Sequence, residues 1–347
     1  MIVMSFASRP SRRSLLAALG LGAGGAFLSA CGGGSSGDGD GISVVTSAYP
    51  LAFLLERIGG DRIALTDLST PGADAHGLEL SVKQVLAIER ADLVLQIPGF
   101  QAALDDAIAS HAGENVLDVS SVVPLLPVDA ALEHQEHAGD TAQEHAEGED
   151  PADQRDGGEQ EDDAAHEDHD GAAHDHGPND PHFWHDPLLM ADLGDAVASR
   201  LGDLSPEDAQ TFSDASATLR SELEDLDAEL AQSYGAVEGE RPFITSHAAY
   251  VYLAERYDLH QIGIAGIDPE TEPSPQRLLA LEGVVQEEGV TTIFFESTAS
   301  PKVAQTLARN LGIDSAELDN LETRQSEDAD YPQIMRDNCT ALVASWT

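Results

Sequence analysis

Twice along this chain, short β-branched runs alternate with stretches of helical apolar periodicity, a rhythm that points to parallel sheets covered by helices. The first block reads as strand Ile42 to Ala48, helix Leu51 to Ile58 closed by Gly59-Gly60, strand Ile63 to Leu68 and helix Ser81 to Arg90. It continues with strand Leu93 to Ile97, helix Ala102 to Ser110 and strand Val116 to Val119. The second block repeats the pattern with strands at Phe243 to Thr245, Gln261 to Ala265, Thr292 to Phe295 and Ala316 to Leu318. Its helices are expected at Ala248 to Tyr257, Pro275 to Glu288, Lys302 to Leu311 and Tyr331 to Ser345. Between the blocks, Thr211 to Tyr234 runs without Gly or Pro and spaces Phe212, Leu219, Leu223, Leu226 and Leu230 as one helix face. Ser205-Pro206-Glu207-Asp208 before it has the look of a helix start: a capping serine, proline at the first position and an acid three residues after the cap. The expectation is an α/β chain of two lobes, each with a mainly parallel sheet, joined by a long helix.

One segment breaks the rhythm. From about Asp129 to Asn179 the chain turns to His, Asp, Glu, Gly and Ala with almost no large apolar residue, so burial there cannot offset the entropy of ordering the backbone. A disordered insert is expected. Its histidines, His134, His137, His145, His166, His169, His174 and His176, stand among carboxylates, a mixture suited to weak binding of borderline metals at many places.

Charge narrows the partners. With 63 Asp+Glu against 17 Lys+Arg the formal net charge is -46, which repels nucleic acid and anionic membrane surfaces and favours a cation. At the N-terminus, Ser11-Arg12-Arg13-Ser14-Leu15-Leu16 opens a Gly/Ala-rich apolar run to Phe27 that reads as a signal peptide, its paired arginines resembling a twin-arginine signal; general secretion is the other route. Leu28-Ser29-Ala30-Cys31 resembles a lipobox, so Cys31 is expected to be lipidated and to begin the mature chain. Lipidation would leave only Cys339, which excludes an internal disulfide. The expected organisation is a signal segment over 1–31, a tether over 32–41, a first lobe over 42–190 including the insert, a linking helical region over 191–235 and a second lobe over 236–347.

Four residues with metal-ligating side chains fall at or near inferred strand ends, where open α/β sheets present ligands: His76, His182, His247 and Asp319. Three imidazoles and a carboxylate could close a tetrahedral shell around Zn²⁺, whereas Mn²⁺ prefers more oxygen. Glu296, at another strand end, is a second candidate for the fourth ligand, a group orienting an imidazole, or a polar contact between lobes. His185 is expected beside the site or at its entrance, with Phe183 and Trp184 packing against the wall.

The exported chain from Ile42 onward resembles the solute-binding proteins of zinc and manganese ABC transporters. Asp180-Pro181-His182-Phe183-Trp184 is similar to that family's Asp-Pro-His-x-Trp segment and follows the His-rich insert, as in zinc-type members. Gly72 to His76, Ser246-His247-Ala248-Ala249-Tyr250, Gly266 to Pro275, and Phe294-Phe295-Glu296 with Ser300-Pro301-Lys302 carry further likeness. Leu318-Asp319-Asn320-Leu321 resembles a Leu-Asp-Pro-Leu ligand segment, with Asn320 where proline is usual. The resemblance implies a metal cleft between two lobes, modest lobe movement and delivery to a membrane permease by a monomeric, lipid-anchored binding protein. Having His247 where manganese members commonly carry a carboxylate implies zinc, with manganese as the alternative. The rival classes are a zinc hydrolase using Glu296 as base, which lacks a His-Glu-x-x-His signature here, and a metal-storing or adhesive surface lipoprotein.

Overall fold

The computed structural model describes residues 41–128, 178–267, 269, 273–296, 301–326 and 328–347. In the first lobe the order is β1 (Ile42–Thr46), α1 (Tyr49–Gly59), β2 (Ile63–Asp67), α2 (Val82–Arg90), β3 (Leu93–Gln96), α3 (Ala102–His111) and β4 (Val116–Asp118). Two helices follow, α4 (Pro187–Leu204) and α5 (Ala209–Gly235). The second lobe runs β5 (Pro242–Thr245), α6 (Val251–Tyr257), β6 (His260–Gly263), α7 (Pro275–Glu287), β7 (Thr292–Glu296), α8 (Lys302–Leu311), β8 (Asp314–Leu318) and α9 (Tyr331–Trp346).

Both sheets are wholly parallel and share one winding order, β2-β1-β3-β4 in the first and β6-β5-β7-β8 in the second. Strands β3 and β5 are buried along their whole length and are apolar except for Gln96 and Thr245 at their ends, while the edge strands β2 and β8 leave several residues exposed. In each lobe the winding reverses between the first and third strand, and such a reversal opens a crevice beyond the carboxyl ends of the strands.

Local chemistry sets the helix starts. Ser81 caps α2 in a full capping box with Gln84, and Asp186 caps α4 by accepting from the Leu188 and Leu189 N–H groups, with Pro187 at the first position. The expected start at Ser205 is instead the turn between α4 and α5: the Asp208 N–H donates to the Ser205 carbonyl, the Ser205 hydroxyl donates to Asp208, and α5 begins at Ala209. The serine signature therefore marked a real boundary three residues early.

Helix α5, about 40 Å long at the usual rise per residue, is the spine of the molecule. It packs on α1 and α4 at one side and on α6 and α9 at the other. Its Phe212, Leu219, Leu223, Leu226 and Leu230 are all buried, each burial contributing about 1.5–3 kcal/mol, and they belong to one apolar cluster that takes in Leu54 and Leu95 of the first lobe and Phe243 and Leu342 of the second. Outward acids of α5 pair with arginines on both sides: Glu222 with Arg57, Asp227 with Arg256, and Glu229 with Arg336. A shared core of this kind resists wide separation of the lobes.

Candidate metal centre

Each lobe sends chain to a common point. His76 lies in the loop between β2 and α2; its N–H donates to Asp74 Oδ1 at 2.8 Å, and the neighbouring Ala75 carbonyl accepts from Gln101 Nε2 at 2.7 Å. His182 comes just before the short helical turn Phe183–His185 that leads into α4. Asp180 fixes it twice, accepting from the His182 N–H at 2.9 Å and lying 2.8 Å from Nδ1 through the same oxygen, so the imidazole presents Nε2 inward. His247 follows β5, its carbonyl taking hydrogen bonds from Thr245 and Gln261.

The three rings converge, with centroids 5.4 to 5.9 Å apart. Glu322, beyond β8, supplies the fourth group: its Oε1 is 3.4 Å from His76 Nε2, 3.5 Å from His182 Nε2 and 3.3 Å from His247 Nε2. All four side chains are buried, and one ligating atom from each lies within 4.8 Å of the others. A tetrahedral zinc shell with bonds of about 2.0–2.1 Å separates its ligand atoms by about 3.3 Å, so the spacing of the carboxylate from each nitrogen suits a divalent ion. Nε2 of His182, Nε2 of His247 and both Glu322 oxygens are buried and make no hydrogen bond within the protein. Groups in that condition are costly unless a cation engages them.

Asp319, expected as the fourth ligand, is not in this group. Its Oδ1 accepts the Leu321 N–H at 2.8 Å, and its backbone is held at both ends by Asn338, so Asp319 builds the turn after β8. Leu321 then adopts a left-handed conformation with φ of 61°, rare for a bulky residue, and the chain behind it delivers Glu322 to the histidines. Burial pushes the Asp319 carboxyl up to about 6. The signal that sequence reading passed over is the acid three residues later, Glu322, whose N–H donates to Asn320 Oδ1 at 3.4 Å within the same turn.

Glu296, at the end of β7, touches His247 and not the centre: its Oε1 accepts the His247 N–H at 3.2 Å and lies 3.2 Å from Nδ1. That contact turns His247 Nε2 toward Glu322. His185 is fully buried between Trp184 and Tyr250 and is not one of the four converging residues. Burial first, then the positive charge of His182, holds its pKa well below the usual histidine value, so it is a neutral packing residue. Phe183 and Trp184 are buried as expected, and Phe100 sits edge-on to His76 at 4.7 Å to wall off the site. Cys31, the tether up to Asp40 and the histidines His134, His137, His145, His166, His169, His174 and His176 lie outside the described residues.

The protein's own charges bind protons where a cation would sit. Burial alone would lower the pKa of His247, but the Glu296 carboxylate, with Glu322 adding to it, overrides that and raises it to about 10. Burial likewise opposes charge on His182, and Asp180 outweighs it to raise that pKa. Burial would raise Glu322, yet the charge of His76 and the close contacts to His182 and His247 hold it well below the carboxylate range.

The sequence model of the family described as "Zinc-uptake complex component A periplasmic" matches residues 44–345. The zinc-binding protein AdcA of Streptococcus pyogenes is 29% identical over 306 residues, covering 87% of this chain; the chain spans only 55% of that relative's length. The high-affinity zinc uptake system protein ZnuA of Bacillus subtilis is 29% identical over 328 residues, 91% of this chain and 92% of its own length. Among solved structures, the laminin-binding protein Lbp of Streptococcus pyogenes aligns with a TM-score of 0.67 at 28% identity, over 88% of this chain and all of that one. The laminin-binding protein Lmb of Streptococcus agalactiae, described as a bifunctional protein with adhesin and metal transporting activity, aligns with a TM-score of 0.69 at 27% identity, over 88% of this chain and 100% of that one.

Proposed function

The chain belongs to the zinc-uptake complex component A family, and from that premise we propose that it captures Zn²⁺ outside the cytoplasm and hands it to an ABC transporter permease. The observation that carries this reading is the convergence of His76, His182, His247 and Glu322 with the carboxylate oxygen 3.3 to 3.5 Å from each imidazole nitrogen. Three nitrogen donors and one carboxylate suit zinc better than manganese, which favours oxygen-rich shells. Four protein ligands leave no open coordination position, so the bound ion has no activated water and the protein is a carrier and not an enzyme. Asp180 and Glu296 orient two of the imidazoles, and Phe100 with Trp184 keeps the site dry.

The rest of the reading follows from the N-terminus and the insert. Cys31 anchors a monomeric chain to the membrane by lipid, the tether lets it reach the permease, and the seven insert histidines gather zinc weakly near the cleft. Among the described residues no helix is long and apolar enough to cross a membrane. Metal analysis of purified, dialysed protein, with competition between Zn²⁺ and Mn²⁺, tests the proposal. One tightly held zinc per chain without ester or peptide hydrolysis is expected, together with poor growth of a deletion strain when zinc is chelated. Preferential retention of manganese, turnover of a substrate, or normal growth of that strain would overturn it.

A further inference from the structure

The segment that carries Glu322 is tied down along its length by the first lobe and by the His182 segment. Trp184 Nε1 donates to the Asn320 carbonyl at 2.8 Å, the Tyr49 N–H at the start of α1 donates to the Glu322 carbonyl at 3.0 Å, and the Thr323 hydroxyl donates to the Ala73 carbonyl in the His76 loop at 3.1 Å. The last tie is ionic: Arg324 Nη2 lies 2.7 Å from both carboxylate oxygens of Glu56 on α1, and its guanidinium rests over the Tyr49 ring, 5.2 Å from the centroid. Residues 320–324 thus form a strap from the second sheet across to α1 and the His76 loop. The first three ties are made by backbone groups or buried side chains. Only the Arg324–Glu56 pair stands partly in water, with side-chain exposures of 22% and 48%.

We propose that Arg324 and Glu56 are positioning residues that hold this strap closed and thereby set how slowly bound metal leaves. Neither touches the centre, so their effect is on residence time. Glu322 is one of four donors and rides on the strap, so a shift of the strap carries its carboxylate away from the histidines; Leu321, held left-handed inside the strap, favours that shift once the outer tie is lost. The pair lies beside Asp67 at the end of β2, whose charge also faces Arg324, so the arginine answers two acids of the first lobe. Arginine suits this work because it can stack on Tyr49 and pair with Glu56 at once, which lysine cannot do equally well.

The inference rests on the reading of the four-residue cluster as a zinc site. It is tested on the full exported chain loaded with one zinc, by following release into excess chelator for wild type, Arg324→Gln, Glu56→Gln, the double variant and Arg324→Lys. Each glutamine variant is expected to release zinc about threefold to fivefold faster, the range an exposed ion pair allows, with association unchanged and the double variant no faster than either single one. Arg324→Lys is expected to fall between. Arg220→Gln, which breaks the exposed pairs of Arg220 with Asp192 and Asp195 on α4, is the control and should leave release unaltered. Unchanged release in the strap variants, or equal acceleration by Arg220→Gln, would overturn the strap while leaving the zinc site standing. A wild-type chain that retains no zinc would overturn the zinc reading and the inference with it.

Discussion

Replacing Glu322 with glutamine keeps the shape of the side chain and removes the one negative charge at the centre. The carboxylate is 1% exposed and has no hydrogen bond to the protein, so its charge is matched only by the imidazoles and by the ion they hold. Removing one partner from a buried charge pair costs about 3–5 kcal/mol, which corresponds to about two to three and a half orders of magnitude in Kd. The loss of proton affinity at His247 in the metal-free variant returns part of this, placing the expected change near the lower end. Asp319→Asn is the paired control: the amide oxygen can still accept the Leu321 N–H, and affinity should stay within about threefold of wild type, the scale of a surface change. Competition against a fluorescent zinc chelator near neutral pH measures both. If Asp319→Asn weakens zinc as much as Glu322→Gln, or if Glu322→Gln binds as wild type does, the assignment of Glu322 is refuted.

Four further outcomes are expected. Because His247 in the metal-free protein holds its proton up to about 10, while zinc needs the neutral ring, binding at about pH 8 should release close to one proton and affinity should climb by up to about tenfold per pH unit until that value; calorimetry in buffers of different ionisation enthalpy reads this, and zero release would contradict it. The same raised pKa contributes stability that is fully present below the unfolded value of 6.5 and is lost as pH rises through about 10, so the Tm of metal-free protein, but not of zinc-loaded protein, should fall across that window in thermal scans. Glu296→Gln should keep one zinc per chain while raising Kd by about tenfold to a hundredfold, since it loosens the orientation of His247, and a change confined to stability would speak against that role. Trp184→Phe should lower the unfolding free energy in urea by about 1–3 kcal/mol by leaving the buried Asn320 carbonyl without its donor, an effect absent if water replaces the indole.

The alternation of buried strands with helices was legible because β3 and β5, covered on both faces, are mostly apolar, with only Gln96 and Thr245 polar at their ends, and because the helix at Ser81 begins with a local capping box. The histidines were legible too, since His76 and His247 follow strands and His182 sits in a distinctive Asp-Pro-His-Phe-Trp segment. Glu322 was hidden by its turn. Whether Asp319 or a later acid reaches the histidines depends on an Oδ1 bond to the Leu321 N–H and on a leucine held left-handed, and no glycine marks that conformation in the sequence. The strap was invisible for a different reason: Arg324 and Glu56 are 268 residues apart, and only the packing of both lobes on α5 brings them together.

Zinc-edge X-ray absorption on protein loaded with one equivalent of zinc tests the central claim most directly. Three imidazole nitrogens and one carboxylate oxygen at about 2.0–2.1 Å are expected, with the oxygen contribution altered in Glu322→Gln and unaltered in Asp319→Asn. A shell with fewer than three imidazoles, or one dominated by water oxygens, would contradict it.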